Sequence, residues 1–255
     1  MRAVAPTLAT LLALTALGAQ AQTTLDQNKA LAGGAVPGDA PGFPITISQP
    51  GSYKLSGNLT VPANTMAIDI TVPGVTLDLN GFSVIGPVKC VMGGVGKTMC
   101  TAAQNNFGIP LIQATDDSIL RNGVVQGATG VGIQLNGQGH LVEGVTVTAT
   151  AGAAILRADP GEAPSILRAV RVMGSLFDGV QGQYLQIEDS LIHGVNHIAV
   201  HTGGVYLNFI SNSTVSNVGN YALGSVFTRN TMYMNVGNVV GGKSLGGNAL
   251  NGNPF

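Results

Sequence analysis

Leu120-Arg-Asn-Gly-Val-Val-Gln-Gly127 returns as Val142-Glu-Gly-Val-Thr-Val-Thr-Ala149, Leu167-Arg-Ala-Val-Arg-Val-Met-Gly174 and Ile187-Glu-Asp-Ser-Leu-Ile-His-Gly194. Each copy runs apolar residue, charged residue, turn residue, then a short alternating strand that closes on a small residue. Aligning the turn position puts Asn122, Gly144, Ala169, Asp189, Asn212 and Asn230 in one column, at spacings of 22, 25, 20, 23 and 18 residues. A repeat of this length with strand-like content marks a solenoid.

The flanking columns carry the physics. Two positions before the turn stand Leu120, Val142, Leu167, Ile187, Ile210 and Thr228, an apolar stack with one lapse. Three after it stand Val125, Val147, Val172, Ile192, Val215 and Tyr233. Five after it stand only small residues and Asn: Gly127, Ala149, Gly174, Gly194, Asn217 and Asn235. Those types tolerate tight or left-handed backbone. Eleven after it stand Ile133, Ile155, Val180, Val200 and Leu223, each preceded by Gly or Ala. Strands alternate in and out with period two, so no single coil buries its own apolar face. Stacking coils about 4.8 Å apart completes the backbone hydrogen bonds and piles like on like. Coils of this length predict an all-β, right-handed parallel β-helix of about seven to eight coils. A left-handed helix would show a strict hexapeptide period. A β-sandwich would not keep apolar residues in register at three fixed offsets.

Upstream, Pro44 to Pro62 reads as two strands around Pro50-Gly51-Ser52, followed by Ile68-Asp-Ile70. In Gly74-Val-Thr-Leu-Asp-Leu-Asn-Gly-Phe82, Leu77 and Asp78 take the places of Leu120 and Arg121, with a small insertion behind them. The organisation expected is a signal peptide over 1–21, a linker over 22–43, the β-helix over 44–236 and a Gly/Asn-rich tail over 237–255. An excursion over 87–106 interrupts the helix. The leader reading rests on Arg2, the apolar run Leu8–Leu17 and the small-x-small site Ala19-Gln20-Ala21.

Ile45-Thr-Ile-Ser-Gln-Pro-Gly-Ser-Tyr-Lys-Leu-Ser-Gly-Asn-Leu-Thr-Val61, followed by Gly74 to Phe82, resembles the opening of exported bacterial right-handed β-helix repeat proteins of the pectate-lyase-like superfamily. The resemblance implies an architecture and an exported protein. It implies no single activity, because that superfamily includes lyases, hydrolases, epimerases and adhesins.

Composition excludes some partners. Charged residues are 9% of the chain, against about 25% in ordinary soluble domains. The net charge is −1, so no basic patch holds a phosphate backbone and nucleic acid is not an expected partner. No stretch after the leader is long and apolar enough for a membrane span. Cys90 and Cys100 are the two cysteines. In an exported chain they predict one disulfide, since two thiolates without further ligands do not make a zinc site. The expected location is the periplasm, cell surface or medium, and the expected partner a polysaccharide or cell-surface component.

Candidate chemistry is sparse. One position before the turn stand Asp78, Arg121, Glu143, Arg168, Glu188, Ser211 and Arg229. Alternating signs on neighbouring coils predict a stripe of cross-strand ion pairs on one outer face. Uronate-lyase chemistry needs acids converging on calcium, and here arginines interleave the acids. Glycoside hydrolysis needs two carboxyl groups about 5–9.5 Å apart, and nothing singles out Asp117 with Glu143, or Glu188 with Asp159. If the chain is catalytic, Asp117, Glu143, Arg121 and Arg168 are the first residues to suspect. His193, His197 and His201 are spaced by four, but their column offsets place them on different sides of a coil. No metal or cofactor is expected. The leading expectation is a non-catalytic scaffold that binds glycan or a surface partner. The alternatives are a polysaccharide lyase or glycoside hydrolase, and a self-assembling adhesive element.

Overall fold

The predicted columns are physical stacks. A computed structural model describes residues 22–93, 98–101, 108–159, 161–201, 208–216, 225–228, 230–233, 243–250 and 253–254. Among these, a seven-stranded parallel sheet holds one strand per turn, from Ile45–Ile47 to Val200–His201. Ile45, Ile68, Ile112, Ile133, Ile155, Val180 and Val200 lie in consecutive register along it, all buried. A larger sheet of 18 strands carries two further stacks. One is Tyr53, Leu77, Leu120, Val142, Leu167, Ile187 and Ile210. The other is Val84, Val125, Val147, Val172, Ile192 and Val215. The three stacks meet in one core. Each fully buried Leu, Ile or Val stabilises by about 1.5–3 kcal/mol relative to exposure. The fold is a parallel β-solenoid, as the repeat predicts.

The turn column is a left-handed bend. Asn122, Gly144, Ala169, Asp189 and Asn212 have φ of 59, 62, 51, 50 and 47°. In the first full coil Asp78 pairs with Arg121 and Ser83 with Val124, so residues 79–82 stand where residues 122–123 stand one turn on. The last coil of the sequence alignment departs from the predicted register by one residue. Ile210 pairs with Phe227, Ser211 with Thr228 and Val215 with Met232, so the apolar lapse expected at Thr228 disappears. Asn230 aligns with Ser213 rather than Asn212. That position forms a buried polar ladder. The Val170 N–H donates to Ser190 Oγ (3.1 Å), Ser190 N–H to Ser213 Oγ (3.2 Å), Ser213 N–H to Asn230 Oδ1 (2.8 Å) and Asn230 N–H to Asn248 Oδ1 (2.9 Å).

Both ends extend further than the sequence suggests. The stretch read as a linker contains strand Thr23–Leu25, paired in parallel with Tyr53, Lys54 and Leu55. It also contains helix Gln27–Ala32, whose Asp26 cap accepts the Lys29 N–H and whose Ala30 is buried against the core. Three paired residues are too short a run to declare themselves by periodicity. The tail read as separate from 237 adds Lys243–Ser244 and Ala249–Leu250 to the stack, and Asn253–Pro254 returns antiparallel. Its asparagines suit the bend ladder. The stretch read as a leader, 1–21, lies outside the described residues. Among the described residues no helix is long and apolar enough to cross a membrane.

The excursion is a disulfide hairpin. Cys90–Met92 and Thr98–Cys100 pair antiparallel, and Cys90 and Cys100 are bonded. The hairpin lies over coils far ahead in sequence. Thr98 Oγ donates to the Gly194 carbonyl (2.6 Å), and Asn196 Nδ2 donates to the Thr98 carbonyl (2.7 Å). A Cβ on Gly194 would come within 2.7 Å of Met92 Sδ, on a backbone at φ +68°. The small-residue column is therefore both a left-handed bend and the hairpin's seat.

His140 is buried, with Nε2 on the Asn136 carbonyl (3.1 Å) and Nδ1 without a partner. Burial pushes its pKa down, against a smaller upward pull from the Asn136 bond. The unfolded chain therefore takes up a proton that the folded chain refuses once pH falls below the ordinary imidazole value of about 6.5. Stability contributed by the neutral ring is full above that value and declines below it, until the lower folded pKa is reached. Chemical denaturation at about pH 7.5 and pH 5.5 is expected to show a smaller acid-induced loss in H140Q than in the native protein. Equal losses would contradict this assignment.

Candidate functional site

Alternation gives the seven-stranded sheet an outward column of half-buried side chains: Thr46, Asp69, Gln113, Gln134, Leu156, Gln181 and His201. They recur once per coil, about 4.8 Å apart. Gln113 Nε2 donates to Asp69 Oδ1 (3.2 Å), and Gln134 Nε2 to Asn136 Oδ1 (2.9 Å). Partial burial raises the Asp69 pKa, and the Gln113 bond opposes that rise. Gln181 Oε1 is buried without a partner. The column is a flat, mostly uncharged row of amide donors and acceptors.

The larger sheet carries the charge ladder. Arg121 Nε meets Asp78 Oδ2 at 3.0 Å. Arg168 bridges two acids, with Nη1 3.5 Å from Glu143 Oε1 and Nε 3.1 Å from Glu188 Oε2. Its guanidinium is pushed up by the Glu188 hydrogen bond first, then by charge. Arg121 and Glu143 are register partners, so the suspected Arg121, Glu143 and Arg168 do lie on successive coils. Asp117 stands apart in the bend before strand Ile119–Gln126, at φ 52°. Ser211 and Thr228 continue the ladder's register without charge. Arg229 lies outside the described residues. Arginine-neutralised acids are poorly placed to hold a cation or act as free bases, and exposed pairs of this kind add little stability.

The histidines do not all separate as their offsets predict. His193 Nδ1 meets Ser216 Oγ (2.9 Å) on the larger sheet. His197 and His201 converge on one acid: Nδ1 of His197 lies 2.7 Å from Asp178 Oδ1, and Nδ1 of His201 lies 2.8 Å from Asp178 Oδ2. The Ile198 N–H also donates to Oδ1 (3.1 Å). Asp178 has no exposed surface, while the two imidazole side chains are 43% and 28% exposed. Phe177 stacks on His197 with ring centroids 4.8 Å apart. Offsets counted within one coil miss this group, because the acid comes from the coil below. The usable signal is an acid 19 and 23 residues before two histidines, about one coil length.

A pocket of about 260 Å³ opens where the hairpin leaves the sheet, lined in part by Ile85, Val88, Lys89, Gln126 and Thr148. Among the described residues no group of three or more His, Cys, Asp or Glu side chains is arranged to hold a metal ion. No family model matches this sequence, and no curated protein matches it.

Proposed function

We propose that this chain is an exported scaffold that binds glycan along the outward face of the seven-stranded sheet. The observation that carries the reading is the outward row of Asp69, Gln113 and Gln134 on successive coils, resumed by Gln181 beyond Leu156. Its repeat is comparable in length to a sugar residue, so a chain laid along the solenoid axis meets polar side chains on three successive coils, an apolar contact at Leu156 and a further amide at Gln181. The Cys90–Cys100 bond suits an oxidising compartment. The resemblance of residues 45–82 to pectate-lyase-like β-helix proteins points the same way. With five tyrosines and no tryptophan, stacking platforms are few, so affinity rests on polar contacts and is modest.

Affinity electrophoresis through gels containing neutral or acidic polysaccharides tests the reading. Retardation is expected in at least one gel. The Q113A/Q134A double variant removes two amides, each contributing about 0.5–1.5 kcal/mol, and is expected to weaken retardation about tenfold. No retardation in any gel, or full retardation of the double variant, would count against the assigned face.

A further inference from the structure

We propose that Asp178, His197 and His201 form a proton-transfer centre for hydrolysing a small acyl ester, with the imidazoles catalytic and the carboxylate positioning them. This inference does not depend on the glycan reading.

The acid interrupts an apolar position. Hydrogen bonds from Gly132 to Ala153, Ala154 to Asp178 and Gly179 to Ile198 align Val131, Ala153, Asp178 and Ile198 in one stack. The other three are buried apolar residues. Stacking does not call for a carboxylate there, and sealing one from water is costly unless it is paired and hydrogen-bonded. Three N–H groups receive it here: one backbone amide and two imidazoles. A carboxylate accepts, so each ring holds a proton on Nδ1. A neutral ring so held has its Nε2 lone pair on the side away from the acid. A buried carboxylate that fixes tautomer and orientation is the means by which a histidine is made a directed base. The carboxylate carries a single negative charge. The mechanism uses the form with one extra proton on the pair of rings, in which one ring acts as base and the other as acid.

The reaction class follows from which groups reach solvent. Asp178 is sealed, so it cannot serve as one of the two carboxyls of a glycoside hydrolase. The exposed groups are imidazoles, suited to delivering water to a carbonyl carbon. Nε2 of the neutral ring takes a proton from water as the water oxygen bonds to the acyl carbon. The bond from that carbon to the alcohol oxygen then breaks. The departing oxygen takes the proton from Nε2 of the charged ring. Water and ester become acid and alcohol, and the two rings exchange roles about the shared carboxylate. Phe177, stacked on His197, limits that ring's freedom and supplies an apolar edge beside it.

The test is p-nitrophenyl acetate hydrolysis by the purified full chain, against free imidazole at the same total histidine concentration. The protein is expected to exceed that reference clearly, with a normal solvent deuterium isotope effect. General acid–base groups contribute about 10²–10⁴-fold, so H197Q and H201Q are each expected to lose at least tenfold in kcat. H193Q, outside the group, should keep the native rate. D178N should lower kcat and alter the pH profile of the remaining activity, whereas loss of folded protein alone lowers kcat and leaves the shape of the profile unchanged. Thermal melts confirm folding, and if D178N fails to fold, the two partly exposed histidine variants decide the question. A rate no greater than free imidazole, or native rates in both H197Q and H201Q, would overturn the proposal.

Discussion

R157M is expected to lower unfolding free energy by about 3–5 kcal/mol, because it takes the donors away from five carbonyls on three successive coils. Arg157 occupies an inward position, register partner of Leu135, and is 2% exposed. It donates Nε to the Gly137 carbonyl (3.1 Å), Nη1 to those of Gln183 (2.9 Å) and Tyr184 (2.7 Å), and Nη2 to those of Gly161 (3.3 Å) and Ala163 (2.8 Å). Those carbonyls belong to the coil below, its own long loop and the coil above. Methionine keeps much of the stem's volume but takes this donor set away; the Tyr184 carbonyl still accepts the Ser165 N–H, and each of the other four, left unsatisfied, costs about 1–3 kcal/mol before relaxation. Relaxation and water entry hold the total below the simple sum. Lysine offers three donors from a point charge, so R157K should fall between native and methionine. Denaturant titration measures both. A loss under about 1 kcal/mol for R157M would show that the loop carbonyls find other donors at little cost.

The same residue shows where sequence reading stops. Leu120, Val142 and Leu167 stack because an apolar side chain on one coil needs the like position of the next, and that need is written at every turn. Arg157 satisfies carbonyls, which have no letter in the sequence, so nothing in its segment marks it out. Column matching slips by one residue over 225–233 because Asn230 resembles Asn212, whereas the fold matches it to Ser213 through a buried amide hydrogen bond. Asp178 escapes a reading within one coil for a related reason: its partners lie one coil later. Periodicity reveals what repeats in every coil. It is silent on a side chain used once, which is where a functional group on a solenoid is expected to stand. On that ground Asp178, the one buried acid among the described residues, with its two histidines is a better candidate than the repeated arginine–acid ladder.

N196A is expected to cost about 2–4 kcal/mol, because it strips two hydrogen bonds from Thr98 that hold the disulfide hairpin to the later coils. Asn196 Oδ1 accepts the Thr98 N–H and its Nδ2 donates to the Thr98 carbonyl, on a residue only 2% exposed. The hairpin thus ties residues 98 positions apart, the longest-range polar link among the described hydrogen bonds. The Cys90–Cys100 bond shapes the clasp that Asn196 receives. Closing a loop with a sequence separation of 10 limits the freedom of the undocked hairpin, so C90A/C100A is expected to cost about 2–3 kcal/mol. Both changes act on one event, release of the hairpin, so their effects should not add. Once Asn196 no longer holds the clasp, a well-shaped hairpin has less to offer, and the triple variant should lose clearly less than the sum of the two. Denaturant titrations of the four proteins give the coupling, and limited proteolysis near Val91 and Met99, both 65% exposed, reports release directly. Full additivity, with cleavage unchanged in N196A, would mean that the hairpin is an ornament on the surface and that the coils hold without it.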